Sequence, residues 1–298
     1  MTPPKGRALA HVLMAEQTRL LHVRGHDIRT RVRSGTRPVP LVLCNGIGTS
    51  LEVLQPLVDA LDPEIEVIRF DVPGVGGSPK PIAPYRFPGL AHLLGALLDQ
   101  LGHDRVDILG LSWGGALAQQ FAFQNPRRCR RVVLANTGTG SLMVPARPTV
   151  LARMLTPRRH RDAAYAASIA KTLYGGSTRE DPTTAGSLLG GETRAGSVRG
   201  YQYQLLAGLG WTSLPWLPLL RQDTLLVFGD DDPIIPVANG HIFHRLLPHS
   251  TLVVYHGGHL DVVLRAAQVV PHINRFLLNE PEAPTTVTPQ HRTSPPIG

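Results

Sequence analysis

A chain of 298 residues is long enough to bury a full hydrophobic core without staples, and its two cysteines, Cys44 and Cys129, are too few for a disulfide framework. The formal charge of +8 rests almost wholly on Arg. The densest runs, Arg127-Arg128-Cys129-Arg130-Arg131 and Arg158-Arg159-His160-Arg161, lack interleaved aromatics or a known motif, so no nucleic acid is expected and both read as solvated faces. No stretch approaches the ~20 apolar residues of a transmembrane segment, and the first twenty residues hold no export signal, so a cytoplasmic location is expected.

In chain order, residues 1–15 are poor in apolar side chains and read as a flexible N-terminus. Runs at 17–23 and 26–32 predict an antiparallel hairpin around Gly25. Short Val/Ile/Leu-rich runs at 41–44, 66–70, 106–109, 131–134, 224–228 and 251–255 predict strands covered on both faces, and therefore parallel. Helical stretches alternate with them, the clearest carrying Phe87, Leu90, Ala91, Leu94, Leu97, Leu98 and Leu101 on one face. This alternation predicts an α/β fold, a mostly parallel eight-stranded sheet flanked by helices. Residues 138–221 break the pattern and are too many for a plain connection. They are expected to form a helical cap with helix-like pieces at 150–155 and 163–173, and the Trp/Leu/Pro segment at 211–220 serves either as an apolar lip or as the cap's buried underside. The core then comprises 16–137 and 222–279, and 280–298 reads as a disordered tail.

The chemistry gathers at the ends of the predicted strands. Gly110-Leu111-Ser112-Trp113-Gly114-Gly115 follows one strand and precedes a helix over 116–123, the setting of a tight turn that exposes a nucleophilic hydroxyl. A serine needs a base to take its proton, and this arrangement, that of the α/β-hydrolase fold, supplies partners in the order Ser, acid, His. Asp230-Asp231-Asp232-Pro233 follows the strand at 224–228, and Gly257-Gly258-His259 follows that at 251–255. Ser112 is thus the expected nucleophile, His259 the base, and Asp232 the residue that orients the base, with Asp231 as the alternative. Asp232 is preferred because it stands directly before Pro233, the position this fold normally uses. The oxyanion donors are assigned to the backbone N–H groups of Trp113 and of Ile47, in Asn45-Gly46-Ile47-Gly48. No metal site is expected, since His241 and His244 have no third ligand nearby in sequence. No cofactor is expected either, since the glycines of 71–78 lack the Lys-Ser/Thr ending of a phosphate loop and suit a turn.

The stretches C-N-G-I-G, A-L-D-P-E-I-E-V-I-R-F-D-V-P-G-V-G-G-S, Y-R-F-P-G-L-A, S-W-G-G-A-L-A-Q-Q-F-A, L-L-A-G-L-G-W-T-S and G-D-D-D-P-I-I-P resemble those of the intracellular medium-chain-length polyhydroxyalkanoate depolymerases, from about residue 18 to 278. The resemblance implies a serine esterase cleaving polyesters of 3-hydroxy acids, met as a storage granule. It implies the same roles for Ser112, Asp232 and His259, with Asn45 where related enzymes carry His. A general carboxylesterase or lipase shares this machinery and remains open, as does a non-catalytic binding protein on the same fold. Oligomeric state and acyl length are not written in these motifs.

Overall fold

The two faces of each central strand carry separate apolar sets, and this alternation organises the molecule. In a computed structural model that describes residues 16–190 and 196–278, Ile108, Val132, Leu134, Leu226 and Phe228 join one core, while Leu109, Val133, Ala135, Leu225 and Val227 join the other. Successive side chains on a strand point to opposite faces, so strands apolar at every position are covered twice. The expected flexible ends at 1–15 and 280–298 lie outside the described residues.

The chain enters through β1 (Glu16–Val23) and β2 (His26–Arg33), paired antiparallel. Arg24 and Gly25 at the turn both have positive φ, 48° and 78°, matching the primed turns that tight hairpins favour. There follow β3 (Leu41–Cys44), α1 (Gln55–Ala60), β4 (Val67–Phe70), α2 (Phe87–Leu101), β5 (Val106–Leu111), α3 (Trp113–Gln124) and β6 (Cys129–Ala135). After a long insertion come β7 (Asp223–Gly229), α8 (Ala238–Leu246) and β8 (Ser250–Tyr255). A short α9 (Asp261–Leu264) and α10 (Ala266–Leu277) complete the described chain. The sheet order is β1-β2-β4-β3-β5-β6-β7-β8, parallel from β4 to β8 and antiparallel at β1 and β2. This is the predicted eight-stranded architecture. Helix α2 begins with Pro in its first turn and stops at left-handed Gly102, φ 80°. Its apolar stripe packs with α3 on the first core, while α1 and α10 cover the second.

Between β6 and β7 lie α4 (Pro148–Met154), α5 (Ala163–Leu173), α6 (Thr183–Gly190) and α7 (Val198–Gly208). The first two match the helical pieces read from sequence. The last two were not foreseen, because Thr-Thr-Ala-Gly-Ser and Val-Arg-Gly-Tyr are weak helix formers. Tertiary contacts overcome that weakness: α6 rests Gly186 against Ala163 of α5, and Ser197 caps α7 by accepting the Gly200 N–H at 2.8 Å.

One expectation needs correction, and one open alternative is narrowed. The basic runs are only partly solvated: Arg127, Arg158 and Arg161 are exposed, but Arg130 forks onto the buried Asp107, and Arg131 donates to the Phe276 and Leu277 carbonyls at 2.6 and 2.9 Å. These arginines tie the end of α10 to the sheet by satisfying carbonyls that a helix terminus leaves free. In the second run Arg159 and His160 are buried. Segment 211–220 packs as an underside, with Trp211 against Phe87 (4.8 Å between ring centroids) and Trp216 stacked on Phe123 (4.5 Å). Stacking leaves both indoles half-buried, with Trp211 packed between Phe87 and Trp216.

Candidate active site

Ser112 sits between β5 and α3 with φ 54° and ψ −121°, a conformation that costs a non-glycine residue about 1–3 kcal/mol. The surroundings enforce it. Ser112 N–H donates to Ala135 O (3.0 Å), and its carbonyl accepts from Gly115 N–H (2.9 Å) and Thr137 Oγ1 (2.6 Å). At Gly114 a Cβ would run into the Cys44 carbonyl at the end of β3, so the motif's glycine lets the turn press against the neighbouring strand. The serine itself is nearly buried.

The three consecutive aspartates diverge. Asp230 faces His256 at the surface, 3.1 Å away. Asp231 takes a fork from Arg179 at 2.6 and 2.8 Å and accepts the Gly176 N–H at 2.7 Å. That Arg179 hydrogen bond draws the Asp231 carboxyl below its ordinary range. Asp232 turns inward: Oδ1 accepts Ile234 and Ile235 N–H at 2.8 and 2.9 Å, and Oδ2 lies 2.7 Å from His259 Nδ1. A buried carboxylate at Nδ1 keeps the proton there and leaves Nε2 as the basic nitrogen.

The histidine loop is held from two sides. Asn136, fully buried just after β6, donates Nδ2 to Tyr255 Oη (2.8 Å) and to the Gly258 and His259 carbonyls (3.2 Å each), while its Oδ1 accepts Gly229 N–H at 2.9 Å. From the insertion, Tyr174 O accepts the His259 N–H at 2.7 Å. Asp261 accepts both Gly258 N–H (2.7 Å) and Ser177 N–H (3.0 Å).

On the oxyanion side, Asn45 Oδ1 accepts Gly46 N–H at 2.8 Å and Nδ2 donates to Ser50 O at 2.5 Å. Gln204 of α7 accepts Gly48 N–H with Oε1 (2.8 Å) and takes the Trp113 indole N–H on its carbonyl (2.9 Å). The Ile47 N–H between these pinned residues has no hydrogen-bond partner among the described residues. Trp113 opens α3, where N–H groups lack intrahelical carbonyls. The loop at 71–78 is a braced turn, Asp71 accepting the Leu51 and Gly77 N–H groups at 2.8 Å each.

Two cavities meet at Ser112. A narrow inner pocket of about 40 Å³ is lined by His259, Asn45, Arg159, His160 and Tyr174. An open groove of about 290 Å³ is lined by Phe87, Trp113, Met143, Leu151, Trp211 and Ile235. Ile47, Met154 and Ile234 border both.

The structure brings Ser112, His259, Ile47 and Asn45 to one pocket and sets Asp232 behind His259. Sequence reading missed Asn136, Tyr174, Gln204, Asp261, Arg159 and His160. Only Asn136 carried a signal, a polar residue at the carboxyl end of a buried parallel strand, where ligands and their supports collect. Burial keeps both thiols protonated, pushing Cys44 and Cys129 up.

A family model described as the alpha/beta hydrolase fold matches residues 39–266. The poly(3-hydroxyalkanoate) depolymerase of Ectopseudomonas oleovorans is 48% identical over 263 residues, 88% of this chain and 93% of that protein. The 3-oxoadipate enol-lactonase 2 of Acinetobacter baylyi is 28% identical, over 75% of this chain and 82% of its own length. Among solved structures, the enol-lactonase from Burkholderia xenovorans LB400 superposes with a TM-score of 0.73 at 24% identity, over 87% of this chain and 99% of that one, a likeness of fold.

Proposed function

The chain belongs to the α/β-hydrolase family and is an ester hydrolase, and from that premise we propose that it depolymerises poly(3-hydroxyalkanoate) with medium-length side chains. Ser112 Oγ attacks the ester carbonyl while His259 Nε2 takes its proton, and Asp232 holds the imidazolium through Nδ1. The tetrahedral oxyanion is received by the N–H groups of Ile47 and Trp113. On collapse His259 returns the proton to the leaving alcohol. Water then repeats the sequence on the acyl-enzyme and frees the acid. Residues 138–221 serve as the cap.

The observation that carries the substrate reading is the apolar groove opening on Ser112, with Leu142, Leu155 and Leu209, 64%, 70% and 69% exposed, next in sequence to its lining residues. An apolar groove with an apolar rim suits an alkyl tail drawn from a water-insoluble surface. The 48% identity to a poly(3-hydroxyalkanoate) depolymerase supports the same reading. No helix among the described residues is long and apolar enough to cross a membrane; the enzyme works in the cytoplasm at the storage granule.

The test is clearing of a medium-chain polyester emulsion with release of 3-hydroxy acids, run beside p-nitrophenyl octanoate. The wild type should clear the emulsion, and Ser112→Ala should lose about 10⁶-fold in turnover. Cleavage of the small ester without clearing would demote the protein to a general carboxylesterase.

A further inference from the structure

The inner pocket ends in polar groups that the reaction does not use. Arg159 is 2% exposed and lines this pocket with Ser112 and His259. A guanidinium has five N–H donors and is always charged. Arg159 reaches the Arg153 and Thr156 carbonyls only at 3.5 and 3.4 Å, and otherwise faces the Tyr174 and Tyr201 hydroxyls, two neutral groups. Its positive charge lies over the Tyr201 ring, 5.5 Å from the centroid. Among the described residues no carboxylate stands within ion-pair distance of it, whereas the exposed Arg158 beside it has Asp162 at 3.2 Å. Burying a charge without a counter-ion is expensive, by several kcal/mol.

Its neighbours are under-satisfied in the same way. Tyr174 Oη and His160 Nε2 are buried and line the same pocket, and among the described residues neither has a hydrogen-bond partner at good geometry, Tyr174 facing only the Arg159 guanidinium. Burial and the adjacent Arg159 charge hold His160 well below its usual pKa, so its imidazole is neutral at neutral pH. His160 and Tyr201 press on Gly48, where any Cβ would strike both rings. The polar cluster therefore abuts the oxyanion loop. A cation with a phenol and an imidazole beside it, facing a cavity, is the donor set of an anion site.

We propose that Arg159, Tyr174 and His160 bind the free carboxylate at the end of the polyester chain, so that the enzyme releases 3-hydroxy acids one at a time from the carboxyl terminus. This rests on the depolymerase reading above. His259 lines the inner pocket but not the apolar groove, so the leaving alcohol, which takes its proton from His259, lies on the inner side. In a terminal 3-hydroxyacyl unit a single CH₂ separates the hydroxyl-bearing carbon from the carboxylate. At about 40 Å³, against the roughly 10–15 Å³ of such space that admits one water, the pocket has room for a CH₂–COO⁻ group; the alkyl tail extends into the groove. The terminal C–O bond breaks, its oxygen takes the proton from His259, and the hydroxy acid leaves with its carboxylate intact. Water then adds its hydroxyl to the acyl carbon and gives its other proton to His259, the acyl–Ser112 Oγ bond breaks, and His259 returns the proton to Oγ, exposing a new carboxyl end.

The test compares the linear dimer of 3-hydroxyoctanoic acid with its methyl ester. The wild type should prefer the free acid by about 10–100-fold in kcat/KM, the worth of a hydrogen-bonded charge. Arg159→Met should bring that ratio close to one. Tyr174→Phe, which removes one oxygen and keeps the ring, should lower it by about 3–10-fold, and it reads the site even if the arginine variant fails to fold. A wild-type ratio of one, or a ratio that Tyr174→Phe and Arg159→Met leave intact, overturns the carboxylate site while the depolymerase reading stands. If neither dimer is cleaved although p-nitrophenyl octanoate is, the depolymerase reading fails and this inference with it.

Discussion

Around Ser112, the buried Asp232 and Asn136 side chains borne by the sheet loops are paired, whereas buried side chains that the β6–β7 insertion brings over the serine are under-satisfied. Asp232 accepts two backbone N–H groups besides facing His259, and Asn136 makes four hydrogen bonds that tie β6, β7 and the histidine loop together. On the other side Arg159 reaches two carbonyls at long range and faces neutral tyrosine hydroxyls, and among the described residues His160 Nε2 has no partner. Saturated networks fix geometry before substrate arrives, which is what a catalytic constellation requires. A cluster left unsatisfied in a buried pocket holds binding energy in reserve for a ligand. On the proposed mechanism the difference separates a half that performs the chemistry from a half that selects what is cleaved.

Substitutions on the sheet side should depress turnover on every ester, and those on the insertion or groove should change ratios between esters. The largest effect is expected at the orienting acid. Asp232→Asn should lower kcat by about 10⁴, as loss of the correct tautomer does in other triads, while Asp231→Asn should stay within about threefold because its Arg179 pair is exposed. Comparable losses in both would break the assignment of the three aspartates. Asn136→Ala should come next. It strands buried partners and destabilises by about 2–4 kcal/mol, and kcat on acetate and octanoate esters should fall together as His259 loses its support. A drop confined to one chain length would place Asn136 on the selecting side.

A smaller change is expected in the groove. Leu151→Ser at its lining, 40% exposed, should cut the preference for p-nitrophenyl octanoate over acetate by about 3–10-fold through lost apolar contact. An unchanged ratio would remove the groove from substrate binding.

The smallest effect is acid stability. Burial opposes the charge on Glu52, but hydrogen bonds from Arg29 and Ser50 outweigh it and draw the carboxyl down to about 2. A carboxyl depressed in the folded state stabilises above its unfolded pKa of about 4.3, and the contribution fades as pH falls toward the folded value. Arg29→Met should therefore move the acid-unfolding midpoint upward by roughly half a pH unit, followed by circular dichroism. A midpoint that does not move would show that the network beneath the oxyanion loop is not what acid disrupts.

By itself the sequence determined the sheet, because strands covered on both faces are apolar at nearly every position, as in 225–228 and, apart from Asp107, in 106–109. It also determined where Ser112, the aspartate run and His259 stand, since glycine-flanked turns after such strands are local features. Tertiary structure alone decided what each aspartate faces, because three adjacent carboxylates differ only in surroundings contributed by Arg179, His256 and His259. It also decided the fate of Arg158-Arg159-His160-Arg161. Charge in a sequence predicts solvent, and only the packing of the short helical turn Pro157–His160 over Gly48 turned two of these four residues inward. A buried ion is a long-range outcome that no local pattern encodes.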